Sequence, residues 1–157
     1  MKNFFYIILF STLLTGCISS KQAVQKKEAE KLIEFASQYI GTPYLSDGAT
    51  PKGFDCSGYV QFVYKKMGYS LPRTTQEQSN AGTKVGKKED LKTGDLVFFK
   101  GRNARSKTIG HVGIVTKPKR KGTFEFIHVA SSGVRIDESE SSYYKLRYVK
   151  ARRVIGR

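Results

Sequence analysis

Cys56, His111 and His128 are the residues of this chain whose types and spacing could do nucleophilic chemistry, and they are scarce: there are two cysteines and two histidines in 157 residues. A thiolate is a strong nucleophile, and an imidazole is the side chain that takes up a proton near neutral pH. Cys56 follows Asp55 at the start of an apolar pattern in which Val60, Val63, Tyr64 and Met67 recur at helical spacing until Gly68. Cys56 therefore falls in the first turn of a helix, where free N–H groups and the positive end of the dipole favour a thiolate. Asp55 can cap that helix. A free carboxylate at that position opposes the thiolate, so the chemistry requires Asp55 to be occupied by amide donors or by substrate. Strand alternation puts His111 on one face with Gly113 and Val115, and His128 on one face with Phe126 and Ala130. The stretch 117–122 has turn composition. A hairpin centred between Lys119 and Arg120 would set the two histidines directly opposite each other, with Cβ atoms about 4.5–5.5 Å apart. His111 would then act as base toward Cys56, His128 would orient it, and backbone amides at the helix start would hold an oxyanion. Three readings stay open beside this one: Cys56 as a small buried hydrophobe, the histidines as structural residues, and a zinc site built from Cys56, His111, His128 and Asp55.

The elements that must position these groups are legible in outline. Residues 28–40 carry apolar side chains at helical spacing up to Gly41-Thr42-Pro43, and residues 44–54 read as a loop. The Cys56 helix follows, then a short helix at 74–81. Strands are expected at 96–99, 111–116, 123–130, 134–136 and 148–155, with a basic loop at 100–110. Helices first and strands afterwards argue for an α+β fold with an antiparallel sheet rather than a βαβ repeat. The sequence contains no internal repeat, heptad array, Gly-rich phosphate loop or paired CxxC pattern.

The chain has room for one domain, and 39% hydrophobic residues suffice for a core. Its formal charge is +15, and residues 84–121 contribute 12 basic against 3 acidic side chains. Such a segment attracts an anionic partner, whether nucleic acid, anionic lipid or an acidic polymer, and says nothing of fold. At the other end, Lys2 precedes a short apolar run from Phe4 to Leu14, well under the roughly 20 residues that span a bilayer. Leu14-Thr15-Gly16-Cys17 resembles the lipobox of bacterial lipoproteins. That resemblance implies a signal peptide at 1–16, a lipidated Cys17 with a polar tether through residue 27, and a domain at 28–157. With Cys17 acylated, Cys56 is a lone thiol in an exported protein, which is a candidate nucleophile.

Five ordered motifs carry a family resemblance: Phe54-Asp55-Cys56-Ser57-Gly58-Tyr59-Val60, Leu71-Pro72-Arg73-Thr74, Thr93-Gly94-Asp95-Leu96-Val97-Phe98-Phe99, Gly110-His111-Val112-Gly113-Ile114 and Phe126-Ile127-His128-Val129-Ala130. With Gly41-Thr42-Pro43-Tyr44 ahead of them, they make the chain resemble the NlpC-type cell-wall endopeptidases, above all their short lipoprotein members. The resemblance implies a papain-like α+β domain with the N-terminal helices packed on an antiparallel β-sheet. It implies Cys56 as nucleophile, His111 as general base and then acid, and His128 as the orienting third residue, with Tyr44, Asp55 and Ser57 contacting substrate. The implied substrate is the stem peptide of peptidoglycan, cut between D-Glu and the diamino acid or at the D-Ala to diamino acid cross-link. No metal or other cofactor and no nucleic acid is implied; the implied location is the bacterial cell envelope, lipid-anchored and facing the periplasm from the outer membrane. Two other functions fit the same residues: an inactive lipid-anchored peptidoglycan-binding protein, and an amidase or acyltransferase on the same fold. The basic rim, which by charge alone fits nucleic acid, then faces an acidic wall polymer.

Overall fold

The structure, a computed structural model, describes residues 4–156, with side chains from residue 20 onward. The expectations for Cys17 and for cleavage before it concern side chains that lie outside the described residues. A long helix, α1 (Phe4–Ser37), leads into a small hairpin, β1 (Ala49–Thr50) and β2 (Gly53–Phe54), and then into α2 (Cys56–Lys66) and the single turn α3 (Thr75–Gln78). The remainder is β3 (Thr83–Val85), β4 (Leu96–Lys100), β5 (Ile109–Pro118), β6 (Phe124–Ala130), β7 (Gly133–Glu138), the turn α4 (Ser142–Lys145) and β8 (Tyr148–Arg153). Residues 18–27, read from their polarity as an unfolded tether, are part of α1, and Gln25 reaches the Gly156 carbonyl at 3.4 Å. Among the described residues no helix is long and apolar enough to cross a membrane.

Strands β3 to β8 form an antiparallel sheet in the order β3-β8-β4-β5-β6-β7. Both its faces are covered, so β4 reads as a continuous apolar run (Leu-Val-Phe-Phe) rather than an alternating one. Leu96 and Phe98 point into a core shared with Leu32 and Ala36 of α1 and Tyr59, Val60 and Val63 of α2, while Val97 and Phe99 pack with Val115, Phe124, Phe126 and Tyr144 on the other face. The Tyr59 hydroxyl donates to the Ala36 carbonyl at 2.8 Å and ties α2 to α1, and the Tyr64 hydroxyl donates to the Gly94 carbonyl, tying α2 to the turn before β4. That turn also holds Asp95, 1% exposed, whose carboxylate accepts from Arg153 Nε and Nη2 at 2.8 and 2.7 Å.

The β5–β6 pairing corrects the expected register. His128 lies opposite Gly113, not His111. The turn is a 3-10 segment, Arg120–Gly122, in which Lys121 and Gly122 both adopt positive φ, so its centre sits later than composition suggested. A bulge between Val115 and Lys117 takes back part of the difference. The net displacement is two residues, and an even shift leaves every side chain on its expected face. His111 and His128 are therefore diagonal neighbours across Gly113.

A Cβ at Gly113 would lie 2.6 Å from Phe126 Cδ2, 3.0 Å from the Ile127 oxygen and 3.1 Å from His128 Cβ. Gly113→Ala should destabilise the domain by about 1–3 kcal/mol through overpacking. Urea unfolding measures this, and a midpoint equal to that of the unsubstituted protein would contradict it.

Candidate active site

Asp55 is the N-cap of α2, with extended φ and ψ, and its Oδ1 accepts from the Gly58 N–H at 2.7 Å. The same carboxylate receives both ends of the Arg73 guanidinium, Nη1 at 3.1 Å and Nη2 at 2.5 Å, and the Ser57 hydroxyl at 3.2 Å. The occupation of Asp55 that the chemistry requires is thus supplied from within the chain. Arg73 is the residue that supplies it; its place in the Leu71-Pro72-Arg73-Thr74 motif carried no role in the sequence. Burial pushes the Asp55 carboxyl up, but Arg73 and the Gly58 N–H outweigh that and leave its pKa below the ordinary value. Ser57 is 6% exposed, and its hydroxyl also accepts from Arg73 at 3.0 Å. It braces the Asp55–Arg73 pair from inside rather than facing the cleft.

Among the described residues Cys56 forms no disulfide, and its Sγ lies 3.6 Å from Thr75 Oγ1 on α3. Burial pushes the thiol pKa up and the Asp55 charge adds to it, while the contact with Thr75 and the N–H groups of Val112 and Ser57 pull the other way. The Val112 contact places the sulfur at the start of β5, next to the residue after His111. Among the described residues no hydrogen bond joins Cys56 to His111. Such contacts often close only when substrate arrives.

His111 Nε2 and His128 Nδ1 are 2.9 Å apart, with the rings nearly perpendicular at 86°. Phe99, Phe126 and Tyr144 surround them, and His128 is fully buried. Its second nitrogen, Nε2, meets Asp137 Oδ2 at 3.0 Å. Asp137 and Tyr144 are site residues the sequence reading missed. The signal for Asp137 was present: a two-residue turn at Ser131-Ser132 sets His128 opposite Arg135 and Phe126 opposite Asp137. Burial holds the His111 pKa down at about 3, and burial lowers that of His128 as well, against the pull of Asp137.

Cys56, His111, Asp55, Tyr44, Asp137 and Tyr144 open onto one cleft of about 620 Å³, whose rim includes Arg102 and Arg135. Tyr44 is half exposed there. The donors of the alternative zinc site do not converge: His128 spends its nitrogens on His111 and Asp137, and Asp55 is held by Arg73. Among the described residues no group of three or more His, Cys, Asp or Glu side chains is arranged to hold a metal ion.

A cysteine at the start of a helix, sharing a cleft with the first of two paired histidines on an antiparallel sheet, is the papain-like α+β arrangement. The NlpC/P60 family model matches residues 41–153, and the chain belongs to the NlpC/P60 family. It is 39% identical over 129 residues to the murein DD-endopeptidase MepS/murein LD-carboxypeptidase of Escherichia coli K12, covering 81% of this chain and 63% of that one. It is 39% identical over 126 residues to the bifunctional muramidase/DL-endopeptidase CwlT of Bacillus subtilis 168, covering 80% and 36%. The chain thus spans less than two thirds of the length of either relative. Among solved structures, a lipoprotein-like NLP/P60 protein of Staphylococcus aureus Mu50 superposes with a TM-score of 0.71 at 33% identity, covering 82% of this chain and 42% of that one. The NlpC/p60 domain of the peptidoglycan hydrolase SagA gives 0.60 at 31% identity, covering 78% and 96%.

Burial lowers the pKa of both histidines in the folded protein, whereas in the unfolded chain they take up protons at a pKa of about 6.5. Their contribution to stability is therefore complete above that pH and is lost as pH falls toward the folded value of about 3 for His111. The depressed Asp55 and Asp137 carboxyls add a loss in the same direction at the acid end, below their ordinary range. Thermal unfolding followed by circular dichroism should show a midpoint that drops steadily from pH 6.5 to 3, with a shallower drop in a His111→Phe/His128→Phe variant. A midpoint flat across that range would contradict the neutral pair.

Proposed function

We propose that this protein is a cysteine endopeptidase that cuts peptide bonds in the stem peptides of peptidoglycan. The observation that carries the reading is a cleft onto which a helix-start cysteine and His111 both open, with Asp55 beside the cysteine ion-paired to Arg73 and the buried His128 in hydrogen-bond contact with His111 at 2.9 Å. The murein and peptidoglycan hydrolases among its relatives supply the substrate class.

In the free site the thiol and imidazole are both neutral, because burial penalises either charge alone. Transfer of the Cys56 proton to His111 creates an ion pair whose opposite charges offset that penalty. The thiolate attacks the stem carbonyl carbon, and N–H groups at the start of α2 stabilise the oxyanion. His111 returns the proton to the leaving amine, and water then hydrolyses the thioester with His111 as base. Tyr44 contacts the substrate along the cleft, while Asp55 and Ser57 serve through the Arg73 network at the cleft floor. The D-Glu to diamino acid bond and the D-Ala to diamino acid cross-link are both served by this machinery. Cys17 is the lipid-bearing residue, which places the domain in the envelope, facing the periplasm from the outer membrane. Arg102 at the cleft rim, with Arg105 and Lys107 in the same loop, attracts the acidic wall polymer.

Cys56→Ala should abolish cleavage of purified peptidoglycan, leave the unfolding midpoint close to that of the unsubstituted protein, and leave chelator without effect on the active protein. Mass spectrometry of fragments from defined muropeptides identifies the bond. Residual cleavage by Cys56→Ala would refute the assignment, and intact muropeptides bound without turnover would favour a wall-binding role. Reversing Arg102, Arg105 and Lys107 to Glu should weaken wall binding in pull-down assays at low salt, with the difference vanishing at high salt. Equal binding at low salt would mean the rim is only a solvated face.

A further inference from the structure

Both ring nitrogens of His128 are engaged: Nδ1 by His111 Nε2 at 2.9 Å and Nε2 by Asp137 Oδ2 at 3.0 Å. Asp137 stands on β7 two residues beyond Arg135, the partner of His128 across the sheet. Arg135 donates to Asp137 Oδ1 from Nε at 2.9 Å and also from Nη2. The Tyr144 hydroxyl is 3.4 Å from His128 Nε2, and its ring stacks at 25° to that of His111. The mechanism above uses neither Asp137 nor Arg135.

These contacts have a direction. Burial pushes the Asp137 carboxyl up, but Arg135 and His128 hold it below the ordinary range, so it is ionised at neutral pH. A carboxylate only accepts hydrogen bonds, so the proton in the 3.0 Å contact belongs to His128 Nε2. Neutral imidazole carries one proton, which leaves His128 Nδ1 bare and puts the proton of the 2.9 Å contact on His111 Nε2. His111 Nδ1 is then an unprotonated lone pair, and among the described residues it has no hydrogen-bond partner.

We propose that Asp137, held by Arg135, is a positioning residue that fixes the tautomers of both histidines, so that His111 presents a bare Nδ1 as the base for Cys56. The catalytic part of this inference rests on the cysteine endopeptidase reading. When the Cys56 S–H bond breaks and an N–H bond forms at His111 Nδ1, the resulting imidazolium keeps its Nε2–H on His128. Its charge is stabilised through His128 toward Asp137 with no second proton transfer. Asparagine at this position removes the constraint, because its amide can donate to His128 Nε2. The proton of His128 then moves to Nδ1, His111 Nε2 becomes the acceptor, and the His111 proton occupies the nitrogen that must serve as base.

The test uses the full chain with 15N-labelled histidine, whose two imidazoles give two resolvable spin systems. At pH 7 the ring 15N shifts should report Nε2–H tautomers for both residues, and Asp137→Asn should move both toward Nδ1–H. On peptidoglycan, Asp137→Asn should lower kcat on the order of 10²-fold or more, as expected for a misplaced tautomer, with KM changed less than twofold. Asp137→Glu should restore both tautomers and most of kcat, which separates orientation from folding should the asparagine variant prove unstable. Nδ1–H on His111 in the unsubstituted protein, or tautomers unmoved by Asp137→Asn, would overturn the proposal. If the tautomers respond as expected while the unsubstituted protein leaves peptidoglycan uncut, the positioning role stands and the endopeptidase reading falls.

Discussion

Asp55 and Cys56 are neighbours in the chain, and the site depends on what happens to the charge between them. A carboxylate is among the good caps for the helix that presents the thiol, yet its charge raises the cost of a thiolate beside it. Arg73 eases the conflict with a two-point guanidinium contact while the Gly58 N–H keeps the capping bond, although the Asp55 charge still raises the thiol pKa. A lysine would bring one point charge and no fork, so the geometry is specific to arginine. Gln78 steadies the same corner, donating from Nε2 to the Ser57 carbonyl at 2.9 Å and to the Pro72 carbonyl at 2.8 Å, and so joins the first turn of α2 to the segment that carries Arg73.

The second half of the site is a problem of sheet geometry. α2 packs on the face carrying Val112 and Ile114, whereas the histidines point to the face of Val115 and Phe126. The two halves meet only because Cys56 lies at the end of its helix and His111 near the beginning of its strand, where the Val112 N–H reaches the sulfur. The absent side chain at Gly113 lets the two rings meet across it. The aromatic rings of Phe99, Phe126 and Tyr144 pack around the imidazoles, and this burial makes charge on either one alone costly.

The sequence made much of this legible because it depends on local patterns. The α2 periodicity, the Asp55 cap and the alternation of His111 and His128 are short-range features, and the predicted faces were correct even though the register was displaced by two residues. The displacement arose where backbone conformation, not side-chain pattern, decides: two residues of positive φ at Lys121 and Gly122 and one bulge. The contacts that tune the site were harder to read because they join distant segments. Arg73 is 18 residues from Asp55, and Asp137 reaches His128 from the next strand. The short β3 and the β1–β2 hairpin were missed for a related reason, since two or three residues do not establish a period. The α1 extension over residues 18–27 shows the reverse case, a polar stretch drawn into helix by continuity with the amphipathic segment after it.

The central claim is that Cys56 is a nucleophile activated by His111. Its most direct test is the rate of alkylation by iodoacetamide at pH 7 in a Cys17→Ser chain, with the modified peptide identified by mass, compared with the same chain carrying His111→Ala. The account predicts that His111→Ala slows labelling of Cys56 on the order of tenfold or more, because the imidazole takes the proton that the buried thiol must lose before it reacts. A rate unchanged by His111→Ala would contradict it.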